Sequence, residues 1–94
     1  MKMYWFKFEE LPQPGIMNLG VGVSAYDYED AIKLLQERVF GPNGPPAIAQ
    51  CTENVRLDDL EKNHVLPNIG SFYLRGIWFP QGYEMPLQYN EKKN

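Results

Sequence analysis

The sequence contains very little cysteine, histidine or basic charge. Among its 94 residues are one Cys and one His, and nine Lys or Arg stand against twelve Asp or Glu, for a net charge of −3. A single cysteine, Cys51, cannot close the internal disulfides that small secreted domains usually need, so we expect a reducing cytoplasm. The basic residues are scattered and form no stripe for a phosphate backbone, so we expect no nucleic-acid partner.

Long apolar runs are also missing. No stretch approaches the roughly 18 apolar residues of a membrane span. Lys7 interrupts the first apolar stretch before the core of a signal peptide forms, so we expect no membrane association. A hydrophobic content of 44% and an aromatic content of 14% are typical of a folded chain. We therefore expect one domain over residues 1–94, ordered over about 3–83, with a mobile tail over 84–94.

Periodicity along the chain predicts the order β-β-α-β-β. Strands are expected over residues 4–8, 19–26, 47–55 and 71–79, and a helix over 28–40. Asp27 is placed to cap the helix, and Gly41 followed by Pro42 is placed to end it. The expected fold is α+β: a small mixed, mostly antiparallel sheet of about four strands with one helix on one face. The crossover through the helix implies that the second and third strands point the same way.

One helix covers only one face of such a sheet, so the second face is the candidate functional surface. Alternation predicts that five large side chains share this exposed face around Gly20 and Gly22: Trp5, Tyr73, Arg75, Ile77 and Phe79. Aromatic residues and arginine are enriched at protein-binding hot spots. We also expect the loop residues His64 and Asn68 at the edge of this face.

Other interpretations of the same face remain open. In one of them an aromatic side chain, Trp5 or Tyr73, simply fills the space over the glycines, and in another the face holds a ligand cleft. A bulge at Gly76 would exchange the two faces of the last strand. Aromatic sheet faces also stack RNA bases in some domains, but the acidic balance argues against that use here.

The favoured hypothesis is a small non-enzymatic protein-binding module without a cofactor. It would self-associate, act as an adaptor, or inhibit a partner such as a toxin or a defence effector. The alternative is a ligand-binding or enzymatic domain in which Cys51 and His64, the sole residues of their types, form a nucleophile and base. The position of Cys51 argues against this alternative, because Cys51 falls within a predicted strand, where a buried thiol behaves as a small hydrophobe. His64 has no second His or Cys at metal-ligand spacing, so we expect no metal.

Three stretches of the sequence together resemble a group of small bacterial single-domain proteins with no assigned activity. They are Ser24-Ala25-Tyr26-Asp27, His64-Val65-Leu66-Pro67-Asn68-Ile69-Gly70 and Arg75-Gly76-Ile77-Trp78-Phe79-Pro80. The resemblance covers the chain from Tyr4 to Tyr83. It implies a bacterial, cytoplasmic origin and suggests no catalytic activity.

Overall fold

The computed structural model describes residues 1–11 and 15–83. The predicted tail over 84–94, and most of the turn expected between Leu11 and Gly15, lie outside the described residues. The described strands and helix, in chain order, are β1 (Lys2–Phe8), β2 (Val21–Ala25), α1 (Tyr28–Leu35), β3 (Ile48–Glu53) and β4 (Gly76–Phe79).

The four strands form one sheet in the order β3-β1-β2-β4. Each hydrogen-bonded pair of neighbours is antiparallel. The α+β class and the β-β-α-β-β order are therefore confirmed. Both β2 and β3 run antiparallel to β1, so they point in the same direction with β1 between them, as expected for strands linked through a helix.

The helix begins and ends where its sequence signals predict. The Asp27 carboxylate accepts a hydrogen bond from the Asp30 backbone N–H at 2.8 Å, which satisfies one free donor of the first turn. After Leu35 the helix continues as a wider π-helical turn over Gln36–Phe40. Gly41, at φ 84°, then ends it in a conformation that favours glycine.

The first hydrophobic core lies between α1 and the sheet. Three fully buried helix residues, Ala31, Leu34 and Leu35, pack against fully buried sheet side chains. The members from the sheet are Tyr4, Phe6, Val21, Val23, Ala25 and Ile77. Burial of this apolar surface holds the helix across one face of the sheet.

The other face of the sheet is covered rather than exposed. Residues 54–72, here called the covering segment, contribute the buried side chains Val55, Leu60 and Val65 to a second core. In the sheet, this core contains Trp78 and Phe79, which are also fully buried. The helices of the covering segment are two short 3-10 turns, Leu57–Asp59 and Leu66–Asn68. The second face of the sheet is therefore covered by irregular chain and not by a second α-helix.

The last strand is shorter and less regular than its sequence predicts. It spans only Gly76–Phe79, and residues 71–75 form turns instead of continuing the strand. Val23 pairs with Ile77 and Gly22 pairs with Phe79, so Trp78 is an extra residue at a bulge. This irregularity places the consecutive residues Trp78 and Phe79 in the same core, which strict alternation would forbid.

Candidate functional site

The five residues predicted to share an exposed face do not do so. Ile77 is buried in the core under α1, and Phe79 is buried in the second core, so their predicted exposure is wrong. The bulge at Trp78 and the covering segment together explain the difference. Trp5 is half-buried and its ring lies 5.4 Å from that of Phe79, so it packs within the second core. Of the five, Tyr73 is exposed and Arg75 is half-buried like Trp5.

The glycines of the sheet lie beneath the two tryptophans. A Cβ built on Gly22 would lie 2.5 Å from the Trp78 ring, and one on Gly20 would meet the Trp5 ring. The rings of Trp5 and Trp78 are 5.8 Å apart. The packing interpretation therefore holds for Trp5 over Gly20, but Trp78 rather than Tyr73 lies over Gly22.

A different group of exposed side chains lies at one end of the sheet. Tyr26 follows β2 and is 68% exposed, while Tyr73 and Leu74 precede β4 and are 69% and 58% exposed. The Arg75 guanidinium lies 5.7 Å from the centre of the Tyr26 ring, within range of a cation–π contact. We call these four residues, Tyr26, Tyr73, Leu74 and Arg75, the tyrosine–arginine surface.

Asp30 fixes the geometry of this surface. Its carboxylate accepts two hydrogen bonds from Arg75, from Nε at 2.9 Å and from Nη2 at 2.5 Å, and a third from the Tyr26 backbone N–H at 3.0 Å. The Asp30 side chain is only 14% exposed. The hydrogen bonds from Arg75, followed by that from Tyr26, outweigh desolvation and lower the pKa of Asp30 to about 2. Arg75 and Tyr26 are therefore held together by one ionised carboxylate.

The predicted loop contacts lie elsewhere. His64 Nδ1 lies 3.3 Å from a Glu61 carboxylate oxygen, and the Asn68 side-chain amide donates to the His64 carbonyl at 2.7 Å. The Asn68 carbonyl in turn accepts from the Gln81 backbone N–H, beyond the far end of β4. His64 and Asn68 thus shape the covering segment and do not adjoin the tyrosine–arginine surface.

The structure places Cys51 and His64 on opposite sides of the sheet. Cys51 pairs with Phe6 in the sheet and packs against the core under α1, whereas His64 belongs to the covering segment. Burial foremost, with the charge of Glu53, raises the pKa of the Cys51 thiol. A neutral thiol without a base beside it is a poor nucleophile, so this geometry does not support the predicted catalytic pair.

A cleft of about 450 Å³ opens between the sheet and the covering segment. Trp5, Gln50 and Thr52 line it from the strands, and Leu60 and Val65 line it from the covering segment. Its volume falls within the range of small-molecule pockets. Its polar groups form no nucleophile–base pair. The cleft therefore has the features of a binding pocket and not those of a catalytic site.

Two further observations concern residues 1–11 and 15–83. Within them, no group of three or more His, Cys, Asp or Glu side chains is arranged to hold a metal ion. None of the helices in this part of the chain has the length and apolar character needed to cross a bilayer.

Comparisons with known proteins give no match to this chain. This holds for family models, for curated protein sequences and for solved structures. The resemblance to small bacterial proteins stays a prediction.

Proposed function

We propose that this chain is a small non-enzymatic protein-binding module and that its contact site is the tyrosine–arginine surface. The observation that carries the proposal is the exposure of three large side chains, Tyr26, Tyr73 and Leu74, beside an immobilised Arg75. Tyrosine and arginine are enriched among the residues that dominate binding energy in protein interfaces. Contiguous apolar surface on small proteins marks contact sites, and we propose that these side chains form such a surface.

The fixed position of Arg75 supports a binding role. A long side chain normally loses conformational entropy when a partner immobilises it. Here the two hydrogen bonds to Asp30 already hold the Arg75 guanidinium against Tyr26. Association therefore has a smaller ordering cost at this position than at a free arginine.

The cellular role of the module depends on whether its partner is a foreign protein or a second copy of the chain. A foreign protein would make the chain an adaptor or an inhibitor, for example of a toxin or a defence effector, and a second copy would make the surface a dimer interface. We place the protein in the cytoplasm because its single cysteine, Cys51, is a free thiol. A bacterial origin is part of the same proposal and is based on the sequence resemblance alone.

Site-specific photo-cross-linking tests this proposal. A benzophenone amino acid replaces Tyr73 in one variant and Leu19 in a control, because Leu19 is also exposed but precedes β2 at the opposite end of the sheet. In cells of the source organism, we expect position 73 to capture one defined protein, or a second copy of the chain, and position 19 to capture neither. Leu74→Glu should abolish the capture without lowering the melting temperature, since Leu74 is exposed.

The proposal is overturned if positions 73 and 19 give the same cross-links, or if neither gives a defined product. Sedimentation of the purified chain separates the two kinds of partner. A dimer that Leu74→Glu converts to a monomer identifies self-association, and a monomer that still cross-links in cells identifies a foreign partner.

A further inference from the structure

Arg38 is half-buried, and its guanidinium has no hydrogen-bond or ion-pair partner among residues 1–11 and 15–83. Its Nε is completely buried and lacks an acceptor. A guanidinium has five N–H donors, and leaving such donors unpaired at a partly buried site is unfavourable. By contrast, the other two arginines, Arg56 and Arg75, each pair with a carboxylate.

The local backbone makes room for this guanidinium. A Cβ built on Gly76 would lie 2.7 Å from Arg38 Nη1, so the end of the Arg38 side chain lies directly over Gly76. Gly76 also has φ +149°, a conformation that other residues rarely adopt. At the start of β4, the Arg38 guanidinium therefore lies close to the backbone of Gly76.

Arg38 borders a pocket of about 260 Å³ next to the tyrosine–arginine surface. The pocket and the tyrosine–arginine surface share Leu74 and Arg75. The pocket wall also contains one polar side chain, Ser71, and one apolar side chain, Ile77. Arg75 is already paired with Asp30, so Arg38 is the cation of this pocket without a carboxylate partner in the described part of the chain. Ser71 adds a hydroxyl donor.

We propose that this pocket binds a carboxylate presented by the protein partner, with Arg38 as its principal ligand; this inference rests on the proposed function. A planar guanidinium matches a carboxylate through two parallel hydrogen bonds. The mixed wall suits an aspartate or glutamate side chain, whose methylenes pack on Leu74 while its carboxylate meets Arg38. The partner is thus inferred to present an acidic residue beside apolar ones.

The attraction between the pocket and a carboxylate of the partner acts at short range. The whole chain has a net charge of −3. At this site, the negative charges of Asp30 and Glu37 both interact favourably with the positive charge of Arg75. A distant anion is therefore not drawn to the pocket by a strong positive field. Binding comes from direct hydrogen bonds to Arg38, which require a ligand brought into contact by the neighbouring apolar surface.

The test uses three probes and the side-chain Nε–H NMR signals of Arg38, Arg56 and Arg75. N-acetylglutamate amide supplies the carboxylate, N-acetylglutamine amide is its neutral analogue, and inorganic phosphate is the competing anion. We expect the glutamate probe to shift the Arg38 signal saturably and the glutamine probe to leave it unchanged. Phosphate should bind more weakly than the glutamate probe, because it has no methylenes to pack on Leu74.

Matched variants locate the site. Arg38→Gln should weaken glutamate binding by about tenfold or more, since hydrogen bonds to a charged group are lost. Arg56→Gln removes the same charge from an exposed position and should leave binding unchanged. Ser71→Ala, at an exposed pocket residue, supplies a second variant if Arg38→Gln does not fold, and it should weaken binding more mildly.

Several results would overturn the carboxylate proposal: no saturable shift at Arg38, an equal response to the glutamine probe, an equal loss in Arg56→Gln, or tighter binding of phosphate. The two proposals fail separately. Capture of a protein at position 73 that persists in Arg38→Gln leaves the binding function intact and removes the role of Arg38. Glutamate binding without any captured protein removes the protein-binding function and leaves a site for small carboxylates.

Discussion

Arg75 and Asp30 are 45 residues apart in the sequence and are joined by two side-chain hydrogen bonds, at 2.9 and 2.5 Å. The pair connects the start of β4 to the first turn of α1. Asp30 also bonds to the backbone of Tyr26, so one carboxylate links the three parts of the chain that meet at the tyrosine–arginine surface. The stability of this end of the fold should therefore depend on the ionisation of Asp30.

Asp30→Asn tests this dependence. The pKa of Asp30 is lowered from 3.8 to about 2, chiefly by Arg75, so its stabilising contribution is complete above about pH 4 and is lost as the pH falls towards 2. We expect the variant to be less stable than the parent chain by about 2 kcal/mol at neutral pH, and this difference to disappear towards pH 2. Urea unfolding at a series of pH values measures the difference.

The matched control for this experiment is Asp58→Asn. Asp58 lies 3.9 Å from Arg56, but its side chain is 90% exposed, and exposed pairs of this kind contribute little. Its removal should change stability by less than about 0.5 kcal/mol at every pH. A difference between Asp30→Asn and the parent chain that stays constant from pH 7 to pH 2 would contradict the assigned role of Asp30.

Gly22→Ala tests the packing of Trp78 on the sheet. A Cβ at this position would lie 2.5 Å from the Trp78 ring, which is fully buried. We expect a loss of about 1–3 kcal/mol, as for other overpacked cores. Chemical denaturation followed by tryptophan fluorescence measures the stability of the variant.

Gly15→Ala is the control for the added methyl group. Within the part of the chain that the structure describes, no atom lies within 4 Å of a Cβ built on Gly15, and its backbone is extended at φ 167°. Stability should be unchanged or slightly increased, because alanine reduces the freedom of the unfolded chain. Equal effects of the two substitutions would show that Trp78 does not lie over Gly22.

Local sequence signals predicted the elements of this fold well. The helix could be predicted because Asp27, Gly41 and the apolar stripe act within a few residues of one another. The strand order β-β-α-β-β follows from periodicity in the same way. These features depend on neighbours along the chain, which a single sequence displays directly.

The site could not be predicted so well because it depends on distant parts of the chain. No pattern marks residues 54–72 as the cover of the second face, since their buried side chains recur every five residues, a spacing that fits neither a helix nor a strand. The bulge at Trp78 also places Ile77 on the helix side of the sheet, opposite the face that alternation assigns to it, whereas Phe79 stays on that face beneath the covering segment. Asp30 looks in the sequence like a helix-capping neighbour, and nothing there connects it to Arg75.

Native alkylation of Cys51 tests the remaining alternative, a catalytic pair with His64. Burial raises the pKa of the thiol, so at neutral pH its thiolate fraction lies below that of a free cysteine. We expect iodoacetamide to react with the folded chain at least about tenfold more slowly than with the urea-unfolded chain. The rate of the folded chain should rise with pH well above neutrality, where the thiol ionises.

His64→Ala supplies the decisive comparison for that experiment. The sheet lies between Cys51 and the covering segment that carries His64, so removing the imidazole should leave the alkylation rate of the folded chain unchanged. A base that activates the thiol would instead make the parent chain react rapidly at neutral pH, and the substitution would slow it. Rapid native alkylation that depends on His64 would therefore favour an enzymatic domain over a binding module.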